Sequence, residues 1–292
     1  MSRSTVTGRN LDLTTLSMEL RARPVDGYVN LAGYEPNATP FIDDEADAEK
    51  IAVRDLEKMQ SQLYDADDLL FAEADRKVLF VLQGLDCSGK NGTISHVVIA
   101  MNPAGVRMAS FLKPTGGEVQ EHFLERIRRE VPRSGQLGVF DRSHYEDVIV
   151  PLALMTEDES TIDGRIDEID EFEAELVESG TTIVKCMLHI SFDEQRERFL
   201  RRLRRDDKRW KFSEGDLETR RHWNAFQTAY GNAIARTTND TAPWYVIPAD
   251  NKWYRNWLVA KLLLATFDSM GPSYPQPDLD PNDLRERLAP LN

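Results

Sequence analysis

The chain has 292 residues, room for one large α/β domain or two small ones. It is 41% hydrophobic and 29% charged, the balance of a soluble globular protein. No apolar run approaches the roughly 18 residues of a membrane span. A formal net charge of −14 argues against nucleic-acid binding and makes any local basic cluster stand out. Met1 to Arg23 lacks the apolar core of a signal peptide. Two cysteines, Cys87 and Cys186, give no disulfide framework and suit a reducing cytosol, so a cytoplasmic protein is expected.

Residues 1–43 are polar and punctuated by Pro24, Gly27, Gly33, Pro36 and Pro40, which predicts an extended arm over the surface. Asp44 to Ala72 carries Ala52, Leu56, Met59 and Leu63 at helical spacing. Val78 to Gln83 is an apolar, buried strand. It runs into Gly84-Leu85-Asp86-Cys87-Ser88-Gly89-Lys90, which fits the phosphate-loop pattern G-x-x-x-x-G-K and opens a helix through Ile94, Val97, Val98 and Met101. In such a loop Gly84, Cys87, Ser88, Gly89, Lys90, Asn91, Gly92 and Thr93 surround an anion with backbone N–H groups and a helix N-terminus.

Two details of the loop are unusual. Asn91 stands where Ser or Thr commonly ligates magnesium, and an acid, Asp86, sits inside the loop. A carboxylate beside bound phosphates is repelled by them unless a cation lies between, so Asp86 reads as the magnesium ligand replacing the missing hydroxyl. The plainer alternative is a cap for the following helix.

Arg107 to Phe111 is a second strand, and Glu118 to Val131 a helix ended by Pro132. Leu137 to Phe140 is a third strand that delivers Asp141 at its C-terminal end. A helix from Asp163 to Ser179 closes at Gly180. Thr182 to Ile190 is a fourth strand and Trp244 to Ile247 a fifth, with helices over Asp216 to Arg236 and Lys252 to Ser269. Four prolines between Gly271 and Asn282 predict an irregular tail. Alternating strands and helices imply α/β architecture: a three-layer, phosphate-loop nucleotide-kinase-like fold with a five-stranded parallel sheet and a site at the strands' C-terminal ends. The expected division is an arm over 1–43, one phosphotransferase domain over 44–271 with a helical lid near 196–216, and a tail over 272–292.

Asp141 lies where phosphate-loop enzymes hold their metal, so Asp86 and Asp141 would share one or two magnesium ions, with Glu146 a further candidate ligand. Arg142, always charged, would meet a transferring phosphoryl group as a fork of donors. His144 and Tyr145 are expected to pack behind the site. From Arg196 to Lys211 there are nine cations in 16 residues, including Arg198, Arg201, Arg202, Arg205 and Lys208. On a helix those four arginines share one face, while Phe192, Phe199 and Leu203 form an apolar seam on another. Like charges repel at that spacing unless an anion sits between them, so the segment is read as an anion-binding lid rather than a solvated face. Lys113 and Arg126 are assigned to an extension of that cationic track.

These pieces together resemble the polyphosphate kinase 2 family over residues 45–270. The resemblance rests on Gly84-x-Asp86-x-x-Gly89-Lys90 and on Phe140-Asp141-Arg142-Ser143-His144-Tyr145-Glu146-Asp147. It continues through His189-Ile190-Ser191 followed by Glu194-Gln195, Lys208-Arg209-Trp210-Lys211-Phe212-Ser213 and Ala242-Pro243-Trp244-Tyr245-Val246-Ile247-Pro248-Ala249-Asp250. The His-Tyr-Glu-Asp variant is similar to the class that accepts nucleoside mono- and diphosphates. The resemblance implies magnesium-dependent phosphoryl transfer between inorganic polyphosphate and nucleotides, with manganese as substitute ion and a homodimer or homotetramer as assembly. It carries acid roles to Asp86 and Asp141, phosphate roles to Lys90 and Arg142, and lid roles to Arg198 and Arg202. Asn91, Glu125 and Asp206 depart from the family pattern, which usually has an acid, a tryptophan and a proline there. Two other readings of the residues stay open: an ATP-dependent kinase of a nucleotide or other small molecule, and a nucleotide-sensing regulator.

Overall fold

The computed structural model describes residues 11–42, 46–114, 116–276 and 278–289. The first ten residues of the arm, the boundary at 43–44 with the expected helix start at Asp44, and the last three residues of the tail lie outside the described residues.

The arm contains a helix, α1 (Leu13–Leu20), where extended chain was expected. Asp12 caps it by accepting the Thr15 N–H, and Leu16 and Leu20 turn into the core. In chain order there follow α2 (Ala48–Glu73), β1 (Lys77–Gln83), α3 (Lys90–His96), β2 (Val106–Ser110), α4 (Glu125–Arg128) and β3 (Leu137–Asp141). Next come α5 (Glu146–Leu154), α6 (Glu159–Glu178), β4 (Thr181–His189), α7 (Phe192–Arg204), α8 (Asp206–Arg209) and α9 (Glu214–Arg221). The chain finishes with α10 (Trp223–Thr237), β5 (Trp244–Pro248), α11 (Lys252–Met270) and α12 (Pro281–Leu288). No helix among the described residues is long and apolar enough to cross a membrane.

The five strands are parallel in the order β2-β3-β1-β4-β5. Strand β1 is central and buried on both faces, and alternation sends its side chains into two cores. Val78, Phe80 and Leu82 pack with α1, α2 and α11, whereas Leu79 and Val81 pack with α5, α6 and α10. The chain leaves β1 to build β2 and β3 on one side and returns to build β4 and β5 on the other, so the loop after β1 sits at the topological switch point. The arm guards the β5 edge: Ala22 N–H donates to the Trp244 carbonyl (2.8 Å). Gly231 of α10 allows its close approach, since a Cβ there would come within 2.5 Å of Tyr28 and of the Val29 carbonyl.

Three further segments differ from expectation. Glu118 to Val131 is not one helix but a 3-10 turn (Gly116–Gln120) followed by the short α4. The helix expected over Asp216 to Arg236 breaks at His222 into α9 and α10. The tail is not wholly irregular, because Pro281 occupies the first turn of α12 under an Asp280 cap, a position where its missing N–H costs nothing.

Candidate active site

The loop after β1 bends through residues with positive φ: Gly84 (148°), Cys87 (66°) and Gly89 (115°). Lys90 begins α3 and is buried, its Nζ donating back to the Gly84 carbonyl (2.6 Å). The Gly84 N–H donates to the hydroxyl of Tyr230 on α10 (3.2 Å). The hydroxyls of Ser88 in the loop and of Thr93 in the first turn of α3 are buried, and among the described residues neither has a partner. Buried polar groups are normally satisfied, so unpartnered hydroxyls in a glycine loop suit an arriving oxyanion.

β1 and β3 are in register, Leu82 beside Asp141, so the second acid arrives at the mouth of the loop. Asn91 Nδ2 lies 3.4 Å from Asp141 Oδ2, and Arg142 Nη2 donates to Asp86 Oδ1 (3.0 Å). Arg142 itself has φ 66°, a bend that turns it toward the loop. Burial and the Arg142 charge lower the pKa of Lys90, while Asp86, Asp141 and Glu146 oppose that shift. The three carboxylates, Lys90 and Arg142 therefore share one electrostatic neighbourhood.

Glu146 differs from the two aspartates. Burial raises its pKa against the pull of Arg142 and Lys90. With the Gln83 amide oriented by its neighbours, Gln83 donates to Glu146 (3.0 Å) and accepts from the Ser143 N–H (3.1 Å). Among the described residues no three His, Cys, Asp or Glu side chains are gathered to hold a metal ion, so Glu146 does not close a three-carboxylate cage with Asp86 and Asp141. The two half-buried aspartates fit magnesium, which takes one or two protein carboxylates and completes its shell with phosphate and water.

The lid arginines separate into distinct groups. Arg198 is 6% exposed. Its Nη1 donates to the Cys87 and Ser88 carbonyls (2.9 Å each), its Nη2 to Ala249 and Asp250 (2.6 and 2.7 Å), and its Nε to Glu194 (2.8 Å). It has no donor left for a substrate and clamps the loop backbone instead. The docking face of α7 is Gln195, Arg198 and Phe199; of the expected seam Phe199 is buried, whereas Phe192 and Leu203 are partly exposed at 44% and 37%. Gln195 Nε2 adds a bond to the Asp86 carbonyl (3.0 Å).

Arg202 is half-buried, 3.4 Å from Asp216, and its charge acts on Cys87 of the loop. Arg205 is exposed and paired with Asp207 (2.7 Å), and Lys208 is exposed on α8. Burial pushes the Cys87 thiol up to about 11. Lys113 is exposed past the end of β2. Arg126 is buried, with Nη2 on Asp147 (2.6 Å) and Nη1 on the Leu112 carbonyl (2.8 Å). It is thus bound into the wall and does not extend an open track.

Behind the site, His144 and Tyr145 pack as expected. Glu173 accepts from Tyr145 (2.9 Å), lies 3.2 Å from His144 and pairs with the Lys185 ammonium, and all four side chains are fully buried. Burial alone would raise the pKa of Glu173, but Lys185 and His144 outweigh it and keep the carboxylate ionised. Sequence reasoning missed Tyr230, Asp216 and Arg255, and gave Gln195 no role. For Arg255 a signal exists: it lies at helical spacing from Leu258, Val259 and Leu262, on an apolar face.

A model described as Polyphosphate kinase 2 (PPK2) matches residues 46–274. The chain is 46% identical over 262 residues to the AMP/ADP-polyphosphate phosphotransferase of Meiothermus ruber, covering 88% of this chain and 95% of that one. It is 35% identical over 260 residues to the ADP-polyphosphate phosphotransferase of Rhodopseudomonas palustris, covering 85% and 89%. The crystal structure of polyphosphate kinase 2 from Arthrobacter aurescens TC1 superposes with a TM-score of 0.87 at 38% identity, over 93% of this chain and 95% of that one. A loop, an acid pair and a sheet order of this kind, matched over most of the chain's length, assign it: the chain belongs to the polyphosphate kinase 2 family.

Proposed function

We propose that the chain transfers phosphoryl groups reversibly between inorganic polyphosphate and nucleotides, raising ADP or GDP, and AMP, to the next higher phosphate. The observation that carries this reading is the convergence of Asp86, Asp141, Lys90 and Arg142 on one glycine loop, with Arg202 on the lid side. Loose phosphoryl transfer needs positioning and charge stabilisation rather than a covalent nucleophile. Lys90 would exchange its bond to the Gly84 carbonyl for phosphate oxygens. Arg142 would turn from Asp86 to the moving group, and Arg202 would neutralise it from the lid. Asp86 and Asp141 would hold magnesium, or manganese in its place. The ion supplies charge neutralisation between donor and acceptor phosphates.

The acceptor range follows the Meiothermus ruber relative, whose name covers both AMP and ADP. Residues 44–271 would form the transferring unit, with the lid near 196–216. Two free cysteines fit a cytoplasmic setting. A homodimer or homotetramer is the proposed assembly. The test is a donor–acceptor matrix, with polyphosphate or ATP as donor, AMP, ADP or GDP as acceptor, and magnesium present, read by nucleotide chromatography. New ADP, ATP or GTP from polyphosphate alone is expected. Activity with ATP as sole effective donor would replace this reading with an ordinary nucleotide kinase.

A further inference from the structure

Beneath the phosphate loop lies a cation that the mechanism above does not use. Arg255, in the first turn of α11, is 2% exposed and sits among the buried Tyr254, Leu258 and Val259. Its Nη1 donates to the Ser88 carbonyl (3.1 Å), and its Nε and Nη2 donate to Asn256 Oδ1 (3.2 and 2.8 Å). The loop rests directly on this guanidinium. A Cβ at Gly89 would come within 1.8 Å of Arg255 Nη1, and one at Gly92 within 2.8 Å of Nη2. Gly89 is thus required twice, by its φ of 115° and by the arginine below it.

Among the described residues no carboxylate pairs with this charge. Burial, then the like charge of Arg198, push the Arg255 pKa down to about 9, which leaves it charged at neutral pH, and no carboxylate acts against that shift. Arg198 reaches the same Ser88 carbonyl (2.9 Å) but carries Glu194 as counter-ion. Lys252, three residues before Arg255, is itself pushed down by burial and by Arg201 and Arg198. A buried cation without an anion is costly, and a neutral side chain could meet the same backbone carbonyl. What a neutral side chain lacks is attraction for an anion on the far side of a thin glycine loop.

We propose that Arg255 is a positioning residue for the phosphate chain: from below, it fixes the Ser88 carbonyl and supplies a positive floor whose counter-charge is the bound polyanion. The inference rests on the loop being the phosphate site, not on the transfer step. Its test compares the full-length wild type with Arg255→Met and Arg255→Lys. Binding of tripolyphosphate with magnesium and without nucleotide is measured by calorimetry, melting with and without tripolyphosphate by scanning fluorimetry, and kcat and KM by varying polyphosphate.

Arg255→Met is expected to melt no lower than wild type without anion, yet to bind tripolyphosphate at least about tenfold more weakly. Its KM for polyphosphate should rise more than its kcat falls. Arg255→Lys, which keeps the charge, should recover at least about threefold of the lost affinity. Opposite signs for stability and affinity separate this role from plain packing. Wild-type affinity in Arg255→Met would overturn the proposal, as would a lowered melting temperature with no rescue by lysine. Should Arg255→Met fail to fold, Arg255→Lys decides alone, and affinity more than about tenfold below wild type would end the idea. Wild type that binds tripolyphosphate but moves no phosphate to nucleotide would sink the transfer reading and leave this one standing.

Discussion

Two buried groups of charge flank the central strand, and the protein treats them oppositely. On the α5–α6 face, Glu173 pairs with the Lys185 ammonium and meets the Tyr145 hydroxyl and His144 Nε2, so its charges are paired although His144 Nδ1 has no partner, and none of the four reaches solvent. Around the phosphate loop, among the described residues, Lys90 donates only to a backbone carbonyl, Arg255 finds no carboxylate, and the Ser88 and Thr93 hydroxyls have no partner. A closed network fixes the position of α5, and with it the motif that begins at Asp141. An open one pays in stability and is completed by a ligand. Residue type does not separate the two groups; the distinction lies in whether each cation is already paired with a carboxylate.

The sharpest way to break this comparison is to open the closed group. Glu173→Gln strands the Lys185 ammonium and should cost about 3–5 kcal/mol in denaturant unfolding, while adding Lys185→Met should recover most of it. Little change in the single variant would mean the pair is not what holds α6 to β4. At the open group the effect should move from stability to turnover. Asp141→Asn and Arg202→Ala should each lower kcat at least about a hundredfold, about 2.7 kcal/mol of transition-state stabilisation, with melting within a few degrees of wild type.

A third case tests the rule away from both regions. Asp67 of α2 is fully buried with neither carboxylate oxygen bonded by a side chain, and burial raises its pKa from 3.8 to about 7. Between those values the folded protein holds a proton that the unfolded chain has released, so stability should fall as pH rises from about 4 to about 7 and stay low above that. Asp67→Asn should therefore add about 1–3 kcal/mol at pH 8 and almost nothing at pH 4. The smallest effect is expected at Arg205, exposed and already paired with Asp207. Arg205→Ala should shift stability by less than about 0.5 kcal/mol and turnover by less than about threefold.

The sheet was legible because each strand is an apolar run bounded by turn signals, and the loop because Gly84, Gly89 and Lys90 are local in sequence. Asp141 was legible for the same reason, as the residue ending an apolar run. The arginines were not. Arg198, Arg202 and Arg205 carry one charge each on one helical face, and only the fold shows that the first is spent on loop carbonyls while the last faces solvent. Arg126 was misread similarly, since its partner Asp147 is brought to it by β3 and α5. Helix α1 was hidden by surrounding prolines and glycines, and α12 by a proline that starts a helix rather than stopping one. Arg255 was overlooked although its place on an apolar face was visible.

The most direct measurement follows phosphorus itself. Polyphosphate, ADP and magnesium are mixed with wild type or with Asp86→Asn, and 31P NMR records the interior polyphosphate signal and the nucleotide β- and γ-phosphate signals over time. With wild type, ATP signals should grow as interior polyphosphate declines, and the variant should be at least about a hundredfold slower. Unchanged nucleotide signals with wild type, or an Asp86→Asn variant running at the wild-type rate, would contradict the account.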